Sequence, residues 1–509
     1  MRAISLAFAL LCTYVLTSCS LLEEKEPGYP YDEALVRHVM DSVSRTDHGE
    51  MYADTYYEIL YSHHGNDSTA LKDTLYWVSR YGVNECADVL VSWLRDVEKQ
   101  GLSRNTFCVD EIEADLSAMH KLHPDSCTQA EACNLMGRLE QRLSRAYIRY
   151  VYGQRYGYVQ PRMVLSKMLG STSPSACRFI FDLPVEEATD SLMLTAISKT
   201  ESASAMKEFL EEIQPTDSLF YRLCTEYAKA QEENDTKKAD LARLNIERMR
   251  WRYGHPADTG KYVMVNLPSF MLKAVDNAKR TSLWMDICCG SPQHKTPLLK
   301  SRINRLELNP YWNVPSSIIQ NEVAPRHTGD AGYFARNRMV AIERGSGNIV
   351  SAASLTAEQW RSGKYSLRQD SGPGNSLGRM IYRFPNQFSV YLHHTNSPGA
   401  FQRSMRAVSH GCIRLKKPLD LASFLMDDPS DVYMDKIRVA IDKEPLTEEG
   451  RRYKANTDPK KYIKSHRYNP TIPVYLDYFT LYPDSTETFK AYDDVYGYDA
   501  PLLKELNKF

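Results

Sequence analysis

The chain has 509 residues, and its 63 lysines and arginines nearly balance 64 aspartates and glutamates, for a formal net charge of −1. This balance excludes the broad positive field with which nucleic-acid-binding proteins attract their ligand, so we expect no nucleic-acid partner. The length provides for two or three domains with full cores. There is no Cys-x-x-Cys or His-Glu-x-x-His spacing, so we expect neither a metal nor another cofactor.

The first residues have the pattern of an export signal. A positive residue is followed by the apolar run Ala3–Val15, which is too short to cross a membrane. Leu16-Thr17-Ser18-Cys19 is similar to a lipobox, where bacterial lipoproteins are cleaved and lipidated. We therefore expect a signal peptide at 1–18, a lipid anchor on Cys19, and a tether and N-terminal segment at 19–50. An ordinary secretory signal with a chance cysteine is the alternative.

These features predict an exported protein that is anchored to a membrane by lipid, with the outer membrane facing the periplasm as the default location. Export also permits disulfide bonds. Setting aside Cys12, Cys19 and Cys412 leaves eight of the 11 cysteines, and their pairing is open.

The segment 51–253 has the pattern of a helical domain. Thr128-x-x-Glu131 has the form of a capping box that opens a helix. Apolar side chains then recur at helical spacing, which predicts helices with one buried face. These stripes are Leu135, Leu139, Leu143 and Tyr147, then Met206, Phe209, Leu210 and Ile213, then Leu219, Leu223 and Tyr227, followed by a charged helix from about Lys237 to Arg252.

After Gly254 the pattern changes to strands, and we expect 254–509 to form a second, β-rich domain. Early strands are predicted at 261–268, 270–275 and 282–288, and late ones at 472–480 and 486–492. Between them, 324–368 is polar and contains glycine, with little strand signal until its end. A loop of that length inside a compact domain is often a lid over a site.

The strongest candidate for a reactive residue is a cysteine that has one histidine at the end of a preceding strand and another in its own loop. The run Phe388–His393 predicts a strand that ends in a histidine, and Ser409-His410-Gly411-Cys412-Ile413-Arg414 follows after a loop. A thiol nucleophile needs a base, donors for an oxyanion and a group that holds the substrate. If 409–414 is extended, His410, Cys412 and Arg414 project to one face. A buried, inert cysteine is the alternative.

These residues resemble the active-site signature of the L,D-transpeptidases, which have a YkuD-type catalytic domain. The resemblance implies an α+β protein with a helical scaffold domain and a β-sandwich catalytic domain. In the large periplasmic subgroup, aspartate is usual at the position of His394 and proline at Asn396, and family members usually have lysine at the position of Ile381. The sequence departs from the family at these three positions.

The resemblance implies a role for each residue of the motif. Cys412 is the nucleophile and His393 the base, while His410 helps to shape the oxyanion site. Ser409, Gly411 and Arg414 are assigned to substrate binding, with a structural ion pair as the alternative role of Arg414.

The implied activity is the formation of three-to-three cross-links between peptidoglycan stem peptides through a cysteine acyl-enzyme. An L,D-carboxypeptidase, a papain-like peptidase of wall peptides and a non-catalytic wall-binding lipoprotein are the alternatives. A papain-like enzyme usually places its cysteine before its histidine, whereas His393 precedes Cys412 here.

Overall fold

The structure is a computed structural model that describes residues 28–44, 54, 75–254 and 260–509. The predicted signal peptide and Cys19 lie outside the described residues. The fold is mixed α+β, as predicted, with a helical N-terminal region and a β-rich C-terminal region. Within the described ranges, no helix combines the length and the apolar character that a membrane span requires.

A long helix, Gln129–Tyr156, runs through the helical region. It opens with the predicted capping box, in which Thr128 and Glu131 bond each other's backbone N–H groups. The stripe from Leu135 to Tyr147 is buried, as the spacing predicts. The other helices of this region are Glu33–Ser44, Glu85–Leu94, Val109–Lys121, Pro161–Met168, Asp190–Ser198, Ala203–Glu212, Ser218–Glu232 and Thr236–Arg250, and its short strands are β1 (Val78–Ser79), β2 (Gly82–Val83) and β3 (Phe181–Asp182).

The C-terminal region contains the remaining strands. They are β4 (Lys261–Asn266), β5 (Met271–Asp276), β6 (Thr281–Gly290), β7 (Leu298–Leu308), β8 (Trp312–Asn313), β9 (Met339–Glu343), β10 (Ile349–Val350), β11 (Tyr365–Gln369), β12 (Met380–Arg383), β13 (Leu392–His393), β14 (Ala407–Ser409), β15 (Ile413–Leu415), β16 (Ser465–Asp477), β17 (Leu481–Pro483) and β18 (Phe489–Ala491). The longer helices here are Pro418–Leu425, Asp431–Ala440, Glu448–Asn456 and Asp499–Leu506.

The main sheet closes on itself through backbone pairing. Its order is β12-β13-β15-β6-β5-β4-β16-β7-β3, and β12 also pairs with β7. The predicted β-sandwich is therefore joined into a ring, whose inner side chains form one apolar core. The three early strands lie where the alternating sequence predicts them. The predicted strand 388–393 is wrong in its first four residues, because only Leu392–His393 pairs.

The helical N-terminal region and the ring pack against each other. Strand β3 adds to the ring by parallel pairing with β7, and Val159 and Trp251 lie in the ring's core. The buried guanidinium of Arg248 donates to the carboxylate of Asp499 at 2.5 Å. Near the same end of the chain, the Phe509 carbonyl accepts the hydroxyl of Thr106 at 2.8 Å. The helical region thus braces the ring.

A small unit with its own core covers one end of the ring. We call it the cap and define it as residues 312–369; its sheet has the order β10-β9-β11-β8. Phe334, Trp360 and Leu367 lie in its core, which is separate from that of the ring. The prediction of a polar loop with little strand signal is wrong for β9, because Met339 and Ala341 alternate inward in a run too short to stand out.

Candidate active site

Cys412 lies in a tight turn between β14 and β15, which we call the cysteine turn (His410–Cys412). Gly411 has φ +106°, a conformation that other residues adopt only under strain. The Thr296 hydroxyl donates to the Gly411 carbonyl at 2.8 Å, and the Ser409 hydroxyl donates to the Cys412 carbonyl at 2.6 Å. The expected extended run over 409–414 is therefore wrong, because the turn interrupts it.

These bonds show that Ser409 and Gly411 shape the cysteine turn, and their predicted role in substrate binding stays a prediction. The Ser409 side chain is buried, and its hydroxyl also accepts the Gly411 N–H at 3.2 Å. Both groups are therefore used inside the turn. Among the described residues the Cys412 N–H has no acceptor, so it is the backbone donor beside the thiol that is available to an oxyanion.

The Cys412 thiol needs a base to react. Burial raises its pKa, while the backbone of Tyr391 and the charges of Arg383 and Arg414 act in the opposite direction. The thiol contacts the Ser389 carbonyl at 3.6 Å, a distance at which S–H donates weakly. Since the net shift is upward, the sulfur is a protonated thiol at neutral pH.

His393 has the tautomer and the charge state of a general base. Its Nδ1–H donates to the His394 carbonyl at 2.5 Å, which places the lone pair of the neutral ring on Nε2, and the Leu377 backbone forms a further polar contact with the ring. The ring is 4% exposed. Burial, and then the positive charge of Arg414, lowers the pKa of His393 to about 4. The imidazole is therefore neutral at physiological pH and able to accept a proton.

Strand pairing sets His393 beside the cysteine turn. β13 pairs in parallel with β15, and His393 lies opposite Arg414, two residues after Cys412. His393, Cys412 and Arg414 line one cavity. The sequence predicted that His393 and Cys412 lie close together. They do so through a turn between two short strands and not through an extended run.

That cavity of ≈ 380 Å³ lies between the ring and the cap. The cap contributes Trp312, Ile318, Tyr333 and Met339 to its lining, and Leu377 and Phe388 come from ring segments. Trp312 packs on the cap's core and also faces the cavity. The rest of the lining is mostly polar, so the cavity offers both apolar surface and hydrogen-bonding groups to a ligand.

His410 turns toward the cap. Its Nε2 lies 2.7 Å from the Glu322 carboxylate, and its ring lies 4.4 Å from that of His294. The assignment of His410 as a second catalytic histidine receives no support from this contact, which makes it a link between cap and turn. Glu322 and His294 were missed because their positions, 88 and 116 residues before His410, carry no motif. Only the fold brings them together.

Comparisons with known proteins identify two domains in the chain. The model of the L,D-transpeptidase catalytic domain, YkuD, matches residues 260–439, and that of the scaffold domain matches residues 69–226. The chain carries an L,D-transpeptidase catalytic domain and a scaffold domain. It is also 29% identical over 282 residues to a Haemophilus influenzae protein with a provisional L,D-transpeptidase name. That alignment covers 55% of this chain and 51% of the relative, so the chain spans about half the relative's length.

The residues that depart from the usual L,D-transpeptidase pattern pack behind the base. His394 points away from the cavity, and its Nδ1 accepts the Arg379 N–H at 3.2 Å. Burial, then the charges of Lys443 and Arg379, lowers its pKa. The Asn396 amide donates to the Gly374 carbonyl at 3.1 Å, and Ile381 is fully buried opposite His393. All three hold backbone or fill space around the base.

Arg414 has no carboxylate partner among the described residues, where no ion pair or hydrogen bond of its guanidinium occurs. The alternative of a structural ion pair therefore has no partner in this part of the chain. Its charge faces the cavity and acts on both His393 and Cys412.

Metal chemistry has no candidate cluster here, since the described residues contain no group of three or more His, Cys, Asp or Glu side chains placed to hold an ion. None of the nine cysteines in the described ranges forms a disulfide.

The low pKa of His393 predicts an acid limit for Cys412 acylation well below that of an ordinary histidine. Above the pKa of about 4 the ring is neutral and accepts the thiol proton, and below it the base is lost. We expect the acylation rate by a β-lactam to fall as pH drops through about 4, and not through the usual value of about 6.5. Circular dichroism at each pH checks the fold, and a midpoint near 6.5 would contradict the assignment.

Proposed function

We propose that this protein is a peptidoglycan L,D-transpeptidase that forms three-to-three cross-links through an acyl-enzyme on Cys412. The observation that carries the proposal is the neutral, oriented imidazole of His393 on the same cavity as the Cys412 thiol. A neutral base is required because burial keeps the thiol protonated.

In the first half-reaction, Cys412 attacks the carbonyl of diaminopimelate at position three of a tetrapeptide stem. His393 Nε2 takes the thiol proton as the sulfur–carbon bond forms, and the Cys412 N–H donates to the developing oxyanion. The tetrahedral intermediate collapses as the C–N bond to the terminal D-Ala breaks. His393 returns its proton to the departing amine, and a thioester on Cys412 remains.

In the second half-reaction, the side-chain amine of a second stem attacks the thioester. His393 takes a proton from the amine, the sulfur–carbon bond breaks, and the thiolate recovers the proton. The product is an amide between two diaminopimelate residues. Water in place of the amine gives a carboxypeptidase, and the cap favours transfer because it covers the cavity with apolar groups that exclude water.

Arg414 is the group that we assign to a carboxylate of the donor stem. Its guanidinium faces the cavity without a protein carboxylate among the described residues. A planar guanidinium binds a carboxylate through two parallel hydrogen bonds, which fixes the orientation of the peptide. The peptide carbonyl is thereby held toward Cys412.

The remaining alternatives differ in what they require of the site. A papain-like peptidase has its cysteine before its histidine, which is not the order here. A non-catalytic wall-binding protein has no need of an oriented, neutral His393 beside a thiol. These observations favour the transferase.

Replacing the nucleophile separates catalysis from binding. We expect Cys412→Ala to abolish cross-linked product and the mass increase that a carbapenem produces on the wild-type protein, because no acyl-enzyme forms. Mass spectrometry and muropeptide chromatography measure both, and the buried Cys177→Ala is the control thiol. Cross-linking at the wild-type rate in Cys412→Ala would overturn the proposal.

Replacing each histidine identifies the base. We expect His393→Ala to lower the acylation rate about a hundredfold or more, the usual scale for a lost general base. His410→Ser removes a contact to Glu322 and costs much less, and His394→Asp is tolerated because its ring points away from the cavity. Stopped-flow acylation rates decide the order. Equal losses in His393→Ala and His410→Ser would require the two imidazoles to act as a unit.

We also propose that Cys19 carries a lipid anchor and that the protein faces the periplasm from the outer membrane. The support is the lipobox-like Leu16–Cys19 after a short apolar run. Two or three acyl chains attach a protein stably to a bilayer. We expect Cys19→Ser to move the protein from the membrane fraction to the soluble fraction with Cys412 acylation unchanged. Retention in the membrane fraction would contradict the anchor.

A further inference from the structure

Three arginines lie side by side across neighbouring strands of the ring, outside the cavity of Cys412. Arg383 on β12 is in register with Arg305 on β7, and Arg305 is in register with Arg467 on β16. We call this row the arginine ladder. Like charges directly opposite each other on neighbouring strands destabilise a sheet. The row is therefore a cost to the fold that a ligand of opposite charge would offset.

Protein carboxylates neutralise only part of the ladder. Arg383 Nε donates to Glu307 at 2.9 Å, and Arg305 pairs with the same carboxylate. The exposed Arg467 has no carboxylate partner among the described residues. Three positive charges against one negative charge leave a surplus of two.

The ladder lines a groove of ≈ 690 Å³ that also contains aromatic and amide groups. Phe384, Tyr391 and Tyr468 lie along it with Asn304 and Asn469, and no acidic side chain is in its lining. The Arg383 guanidinium lies 4.5 Å from the centre of the Tyr391 ring, a stacked arrangement that keeps its N–H groups directed sideways. Such a surface suits an extended peptide that bears carboxylates.

The groove reaches the neighbourhood of the thiol, because Arg383 and Tyr391 in its lining both act on the pKa of Cys412. Ile381 pairs with His393, and Arg383 lies two residues further along β12, on the same face of the strand. The Tyr391 carbonyl accepts the Ile413 N–H at 2.9 Å, next to Cys412. The path from Arg383 to the cysteine turn runs two residues along a strand, about 7 Å, and two strands across the sheet, about 10 Å. An extended peptide of about three to five residues covers this path.

We propose that the arginine ladder binds the carboxylates of the acceptor stem peptide, the strand whose amine attacks the thioester. The proposal rests on the proposed function. It gives the two substrates separate approaches: the donor lies under the cap with its carboxylate on Arg414, and the acceptor lies along the groove. An acceptor held there reaches the thioester without passing through the cavity that the donor fills.

Arg467→Glu tests the proposal in the full-length protein, because Arg467 is exposed and pairs with no carboxylate that the structure describes. We expect the acceptor concentration at half-maximal cross-linking to rise about tenfold, which is 1.4 kcal/mol of binding. The rate of Cys412 acylation by a carbapenem stays at the wild-type value, so the ratio of cross-linked to hydrolysed product falls. Arg178→Glu, the same charge change at an exposed position of the helical region, leaves both unchanged.

Three other outcomes of this experiment would each overturn the assignment of the ladder to the acceptor stem. An unchanged acceptor dependence in Arg467→Glu would remove the ladder as the acceptor site. Equal losses in acylation and cross-linking would assign it to the donor. Loss of binding to phosphatidylglycerol vesicles, with the acceptor dependence intact, would assign it to an anionic membrane surface.

A direct measurement separates failure of this proposal from failure of the proposed function. Binding of a fluorescent tripeptide stem that ends in diaminopimelate is measured by anisotropy on the wild-type, Arg467→Glu and Arg178→Glu proteins. If the wild-type protein forms no cross-links but binds the tripeptide about tenfold more tightly than Arg467→Glu, the ladder is a stem-peptide site and the transferase proposal fails. Equal binding by all three proteins would overturn the ladder.

Discussion

The parallel pairing of β13 with β15 is the constraint on which the site depends. It places His393 opposite Arg414 and thereby beside the turn that carries Cys412. Both strands are short, at two and three residues, and their position comes from neighbours on either side: β12 next to β13 and β6 next to β15. A base held in the middle of a closed sheet has little freedom to move, which is what proton transfer over one hydrogen-bond length requires.

The same pairing explains the electrostatics. Because His393 is in the sheet, its ring is buried, and its Nδ1–H has the His394 carbonyl as a partner. Burial disfavours the charged forms of both the imidazole and the thiol, so the pair rests as neutral groups. Such a pair differs from a thiolate–imidazolium ion pair, in which the nucleophile is already charged. In the proposed mechanism the charge develops during the attack, where Arg414 and the Cys412 N–H are placed to stabilise it.

The cap and the arginine ladder place different kinds of side chain around the thiol. The cap brings apolar and aromatic side chains and joins the cysteine turn through Glu322 and His410. Glu322 lies within a segment, Ile319–Val323, that has π-helical hydrogen bonding, a local feature that is common at functional sites. The ladder provides a charged, open groove outside that cavity. A covered donor site and an open acceptor site suit an enzyme that must exclude water and admit an amine.

The sequence by itself determined the parts that depend on local pattern. Helical spacing located the buried stripe of Gln129–Tyr156 and its capping box, alternation located β4, β5 and β6, and the motif identified Cys412 and His393. The helix and strand predictions are confirmed because side-chain periodicity is a property of neighbouring residues, and the roles of Cys412 and His393 stay predictions. The strand expected at 388–393 was too long because pairing partners, and not propensity alone, decide where a short strand begins.

Only the tertiary structure decided which polar groups face each other. It turned His410 to Glu322, used the Ser409 hydroxyl and the Gly411 N–H inside the turn, and aligned Arg305, Arg383 and Arg467 across three strands. Each of these contacts joins residues through strand register or through packing of the cap on the ring. The register is set by the closure of the whole sheet, so residues 78 and 162 positions apart become neighbours without any local signal in the sequence.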